Sequence, residues 1–386
     1  LDSYVVKKVY IHCGLHKTGT TALQQAFMES ADTLVKHGVL YPKTGRMDDM
    51  GGGHKNIAWR LAQAPEFKIK QGTIDRLLHE IAKFDGTVVI SSEDFESVLH
   101  RPRPLTEFVR RLSKHGFEVI VVVYLRNQVS YCESIFAQHT RQKVAVSYET
   151  YTKQALQRGA VTKGWAKFLF DFNMIVDTVK RSGARLELRN FHAMRDGSVI
   201  NDFLHLTGID EAALADRSRE RVNERDKLKV LVAKFYKNLT GRPLLDAERV
   251  CIRMLCNTIG DAKIVTSPAT REAFRTAFQA KNLNICKVFD LSLHGLDFDS
   301  IEPDASANQI ISFDKLYSDA TRQLIADMSH KYEPGHRRPM MNMIRAYLNI
   351  PQDIRSSDSK GPAAMHGNPD RSRSANKNAN TVPPAH

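Results

Sequence analysis

Apolar residues fall along the first two hundred or so positions in two alternating patterns. Short β-branched runs predict strands at residues 6–13, 86–91, 117–124 and 184–191. Apolar positions at helical spacing predict helices at 20–36, 57–64, 73–84, 105–115, 129–143, 147–158, 165–178 and 201–206. In the first helix Leu23, Phe27 and Leu34 share a side, and Gly38 follows its end. Residues 42–55, with Pro42, Gly45 and Gly51-Gly52-Gly53, read as a loop. Strands that alternate with helices imply a parallel sheet covered on both faces. In such sheets ligands bind beyond the carboxyl ends of the strands.

From residue 226 the pattern becomes almost wholly helical, with predicted helices at 227–239, 246–258, 267–278, 313–328 and 340–348. After about residue 351, Ser, Asn, Pro, Gly and charge dominate, a composition expected to be disordered. The expected organisation is therefore an α/β core over 1–225, a helical part over 226–350 that belongs to the same domain or caps it, and a disordered tail over 351–386. No internal repeat is present.

The residues between the first strand and first helix carry the most chemistry. Gly14-Leu15-His16-Lys17-Thr18-Gly19-Thr20-Thr21 is rich in glycine, hydroxyls and positive charge. A helix N-terminus presents unpaired N–H groups and favours an anion. Gly14 and Gly19 permit a tight turn and close backbone approach. Lys17 adds a charge, and Thr18, Thr20 and Thr21 add hydroxyl donors. The order is not that of a nucleoside-triphosphatase loop, in which Lys directly follows the second Gly. Here Lys17 precedes Gly19 by two residues.

Lys17-Thr18-Gly19-Thr20-Thr21 resembles the 5′-phosphosulfate loop of sulfotransferases that use 3′-phosphoadenosine 5′-phosphosulfate (PAPS). Those enzymes have a second motif for the donor's 3′-phosphate: an Arg at a later strand end and a Ser eight residues on. Arg126 and Ser134 have that spacing after the strand at 117–124. Physically, a guanidinium forks onto phosphate oxygens and the hydroxyl donates one more bond. Gln128 stands where the family often has Pro. The chain resembles the family's bacterial and carbohydrate-modifying branches over residues 8–35 and 117–140, with further likeness at 85–97 and 184–225. The resemblance implies a P-loop-like α/β fold, PAPS as co-substrate, and a hydroxyl or amine acceptor, most of all on a carbohydrate. It implies no metal, since Lys17 and backbone N–H groups supply the positive field.

Two residues compete as the general base. His54 follows the triple glycine, near the position where heparan-type relatives place a catalytic Glu. A neutral histidine suits proton removal near pH 7. Glu93, in Ser91-Ser92-Glu93-Asp94-Phe95, lies just past the second long strand and would face the cleft. The two stay open at this point. His12 is expected to be packed or a wall residue, and His16 to touch the donor phosphate. Arg221-Val222-Asn223 resembles a segment of some bacterial members, and Arg337-Arg338 is read as solvated charge.

Composition narrows the partners. The net charge of +13 suits a multiply anionic donor and an acidic or neutral glycan. No zinc-finger spacing or RNA-binding motif points to nucleic acid. The five cysteines lack metal-binding spacing, and a cytoplasmic, reducing compartment is expected. No apolar run is long enough to span a bilayer. Leu1 is not a start methionine, which leaves room for a preceding segment. Two rival functions remain: a P-loop nucleotide-dependent kinase, and a non-enzymatic module that binds acidic glycans.

Overall fold

The computed structural model describes residues 7–214, 228–260, 262–299, 310–333 and 335–350. The expected tail at 351–386 and the Arg221-Val222-Asn223 segment lie outside the described residues.

Strands β1 (Lys7–Gly14), β2 (Val39–Leu40), β3 (Thr87–Ser91), β4 (Phe117–Leu125) and β7 (Arg185–Asn190) form one parallel sheet in the order β2-β3-β1-β4-β7. A separate antiparallel hairpin joins β5 (Ala160–Lys163) to β6 (Ala166–Leu169), and β8 (Lys263–Val265) pairs with β9 (Ile310–Ser312). The helices of the first part are α1 (Thr20–Glu29), α2 (Ala31–Lys36), α3 (Lys55–Ala62), α4 (Ile74–Ala82), α5 (Pro102–Lys114), α6 (Gln128–Arg141), α7 (Tyr148–Arg158), α8 (Asn173–Ser182) and α9 (Val199–Thr207). Those of the second are α10 (Leu228–Thr240), α11 (Asp246–Ile259), α12 (Pro268–Val288), α13 (Phe313–Leu316), α14 (Asp319–His330) and α15 (Arg337–Leu348). This is an α/β fold: a parallel sheet flanked by helices, with a mostly helical C-terminal part.

Strand alternation sets the two layers. Val9, Ile11 and Cys13 of β1, with Val119, Val121, Val123 and Leu125 of β4, face the larger core. Tyr10 of β1, with Ile120, Val122 and Tyr124 of β4, faces the smaller core beneath α1, α2 and α9. Successive side chains point to opposite faces, so a doubly covered strand is apolar throughout. The larger core continues without a break into Phe235, Cys251, Leu255, Phe274, Ile325 and Ile344 of the C-terminal helices. That half packs as part of the core layer.

Several predicted boundaries change, and the helix expected at 267–278 continues to Val288. The helix expected at 20–36 breaks at Ser30, which closes α1 and opens α2 at φ −99, ψ 9. The helix expected at 313–328 likewise divides at Ser318, whose hydroxyl caps α14. The helix expected at 165–178 is instead the second strand of the hairpin followed by α8. Gly164, at φ 58, makes the tight turn there. Two long-range bonds hold the hairpin: Lys167 N donates to Ser97 Oγ at 3.1 Å, and Leu169 N to Glu96 Oε1 at 2.6 Å. No local pattern announces partners 70 residues away. The two-residue β2 was too short to read as a strand.

Candidate active site

The register of the sheet gathers three motifs at one edge. Gly14 lies opposite Tyr124 and His12 opposite Ser91. The glycine loop after β1, Arg126 after β4 and Glu93 after β3 thus leave neighbouring strand ends, the usual place for a ligand in such sheets.

Sterics shape the glycine loop. A Cβ on Gly14 would lie 2.6 Å from both Thr18 Oγ1 and Thr20 Oγ1, so only glycine fits. Gly19 sits at φ 77, and a Cβ there would lie 3.0 Å from Val199 Cγ1 at the start of α9. Lys17 is also left-handed, at φ 70. A non-glycine residue there costs on the order of 1–2 kcal/mol, an expense surrounding contacts must offset. Thr20 Oγ1 is buried without a hydrogen-bond partner among the described residues, so it is available to a ligand. Thr21 is exposed beside it. Thr18 corrects the expectation of an outward donor: its hydroxyl donates to Leu15 O at 2.6 Å and is spent on the loop's own turn.

Arg126 connects the glycine loop to the first turns of α6. Its Nη1 donates to the carbonyl of Lys17 at 2.8 Å and to Ser134 Oγ at 3.4 Å, and its Nε donates to Ser130 Oγ at 3.1 Å. Asn127 caps α6 by accepting from Val129 N and Ser130 N, which places Ser130 and Ser134 one turn apart beside the guanidinium. Phe191 lies against the guanidinium at 5.5 Å. Gly14, Lys17, Gly19, Thr20, Thr21, Arg126 and Ser134 are the residues that could hold an anionic ligand here, and the Thr20 hydroxyl is buried with no partner among the described residues.

His54 and Glu93 lie in different surroundings. His54 is fully buried; its Nδ1 accepts from Ser91 N at 3.1 Å and its Nε2 donates to Pro42 O at 2.9 Å. Burial lowers its pKa to about 4. Both nitrogens are committed to backbone, so His54 fastens the loop to β3, and its expected place at the acceptor is corrected. Glu93, just past the end of β3, has 16% of its side chain exposed. It accepts from Lys55 Nζ at 2.5 Å and Gln24 Nε2 at 2.9 Å. Burial opposes ionisation, but the charges of Lys55 and His16 outweigh it and hold the carboxyl at about 2.

Gln24 and Lys55 were not singled out in the sequence. The triple glycine was their signal. A Cβ on Gly53 would strike Gln24 Oε1 at 2.5 Å, and one on Gly52 would strike Met28 Sδ at 2.8 Å. The glycines let the loop lie flat on α1, bringing Lys55 to Glu93 and Gln24. His16 also departs from expectation: its ring turns away from the loop's open side towards Glu96 and Asp94. His12 is packed, fully buried edge-on against Tyr124 and Phe203. Arg337 and Arg338 are exposed on the first turn of α15. Among the described residues no group of three or more His, Cys, Asp or Glu is placed to hold a metal ion, and no helix is long and apolar enough to cross a membrane.

No family model and no curated protein matches the chain. Among solved structures it is similar to a chain from the PezAT chromosomal toxin-antitoxin system of Streptococcus pneumoniae, at 13% identity and a TM-score of 0.27 over 61% of this chain and 86% of that one. So loose a likeness bears on neither site nor activity.

Proposed function

We infer that the protein is a sulfotransferase that moves a sulfuryl group from PAPS to a hydroxyl or amine, most of all on a carbohydrate. One observation carries this reading. Arg126 donates to both Ser134 Oγ and the Lys17 carbonyl, so one guanidinium joins the two motifs proposed to hold the donor's phosphates.

Lys17, Gly19, Thr20 and Thr21 would hold the 5′-phosphate end, and Arg126, Ser130 and Ser134 the 3′-phosphate. When bound, PAPS supplies the sulfuryl group and a phosphate leaving group. Lys17 and the first N–H groups of α1 stabilise the charge that grows on the leaving oxygen. Glu93 receives the acceptor's proton. It is ionised, so it can accept a proton; Lys55 and Gln24 hold its two oxygens towards the cleft. A carboxylate held at so low a pKa is a weak base, so the acceptor must displace Lys55 or Gln24 as it binds. Lys55 is then left to bind an electronegative group of the acceptor, which suits a hydroxyl-rich or acidic saccharide. The five cysteines are buried, and Cys13, Cys132, Cys251 and Cys286 form no disulfide, in keeping with the proposed reducing, cytoplasmic setting.

Radiolabelled sulfate transfer from PAPS to a panel of saccharides tests this. Product formation that Glu93→Gln abolishes supports it. Phosphate transfer from Mg-ATP would favour a kinase, and glycan binding that survives Lys17→Ala without any transfer would favour a binding module.

A further inference from the structure

Glu96, on the turn after β3, is fully buried, yet donors surround it. Tyr131 Oη donates to its oxygens at 2.6 and 2.8 Å, Leu169 N to Oε1 at 2.6 Å, and His16 N to Oε2 at 3.4 Å. His16 Nδ1 meets the same Oε2 at 2.9 Å. On the other side of the imidazole, Nε2 lies 3.7 Å from Asp94 Oδ1. Both ring nitrogens thus face carboxylate oxygens, and only an imidazolium donates from both. A buried carboxylate without a counter-charge is costly, and His16 is the cation in contact with Glu96.

We propose that His16 is a positioning residue of the donor loop: a resident imidazolium, bridged between Glu96 and Asp94, that holds the next residue, Lys17, in its left-handed turn. The proposal rests on the donor-site reading. The Lys17 peptide is then held on both sides, by His16 through Glu96 and by Arg126 at its carbonyl. Burial works against the ring's charge, yet the neighbouring carboxylates of Asp94 and Glu96 raise its pKa to about 10. The other groups facing it are Glu93 on the same turn, His139 and Tyr131 of α6, and the Phe168 ring of the hairpin at 4.9 Å. His139 is itself held near 3, by burial first and then by the positive charges of Lys163 and His16, so it adds no charge near neutrality.

The test is nitrogen-15 NMR of the histidine rings, joined to calorimetry with 3′-phosphoadenosine 5′-phosphate. At about pH 8 a free imidazole is neutral, whereas both His16 nitrogens should show imidazolium shifts, assigned by their loss in His16→Gln. Glu96→Gln should return the ring to titration near neutrality. Asp94→Asn, at the rim of the site, should do so in part, and it serves if the buried variants do not fold. His16→Gln should weaken binding of the bisphosphate by about tenfold to a hundredfold. A neutral His16 ring at about pH 8 overturns the proposal whatever the ligand result. If the wild type binds the bisphosphate and His16→Gln binds it equally, the proposal fails and the donor site stands. If the wild type does not bind it, the donor site fails, and the ring's charge is still decided by NMR.

Discussion

At the ends of β1 and β4 the site is made from backbone and short spacings: a loop of eight residues, and one helix carrying Ser134 two turns beyond Arg126. Beyond the end of β3 it is made from side chains of separate elements. Gln24 of α1 and Lys55 of α3 meet Glu93 only after folding, and His16 meets Glu96 across 80 residues. On the proposed reading the first region would bind by shape and N–H direction, and the second would act through charge placed by packing. The contrast teaches that a glycine loop is legible from local sequence, whereas the setting of a carboxylate depends on which side chains are packed beside it.

The largest expected effect separates the two regions. Lys17→Ala should lower sulfate transfer about a thousandfold, by removing the cation at the leaving oxygen, with melting temperature nearly unchanged. His54→Ala should do the reverse. It strips a buried ring and leaves Ser91 N and Pro42 O unpaired, so denaturant unfolding should show a loss of about 3 kcal/mol. If His54→Ala instead keeps its stability and loses turnover, the assignment of base to Glu93 is wrong.

Glu93→Gln should reduce kcat about a hundredfold while the dissociation constant for 3′-phosphoadenosine 5′-phosphate stays within a factor of about two. Arg126→Ala should weaken that nucleotide by about 2 kcal/mol in calorimetry and leave AMP affinity almost unchanged, since the guanidinium serves the 3′-phosphate. Equal losses for both nucleotides would place Arg126 in a structural role through the Lys17 carbonyl.

The smallest effect is a pH dependence of stability. His54 has a folded pKa of about 4 against 6.5 when exposed. The unfolded chain therefore binds more protons between these values. The contribution is complete above about pH 6.5 and is lost as pH falls towards 4. Between about pH 6.5 and 5.5, wild type should lose about 1 kcal/mol relative to His54→Gln. His16 is opposite in sign. Its raised pKa contributes stability that is full below about pH 6.5 and falls as pH rises towards 10.

Much of the fold was legible because its signals are local. The β-branched runs marked β1, β3 and β4 within a residue or two, and Gly14, Lys17 and Gly19 declared the loop. The hairpin was not legible, because its Phe168 and Leu169 read equally well at helical spacing until Ser97 and Glu96 claim its N–H groups. His54 drew attention as a histidine beside glycines. Its actual partners are the carbonyl of Pro42 and the amide of Ser91, which no side-chain pattern reveals. Those glycines instead serve Gln24 and Met28 of α1, a close approach seen only in three dimensions.

The most direct test of the donor pocket is thermal unfolding with 3′-phosphoadenosine 5′-phosphate, AMP or Mg-ATP at equal concentration. A bisphosphate pocket bridged by Arg126 should respond to the first alone, by roughly 2.7 kcal/mol at a hundred times its dissociation constant. Stabilisation by Mg-ATP that equals or exceeds it would contradict the sulfotransferase assignment.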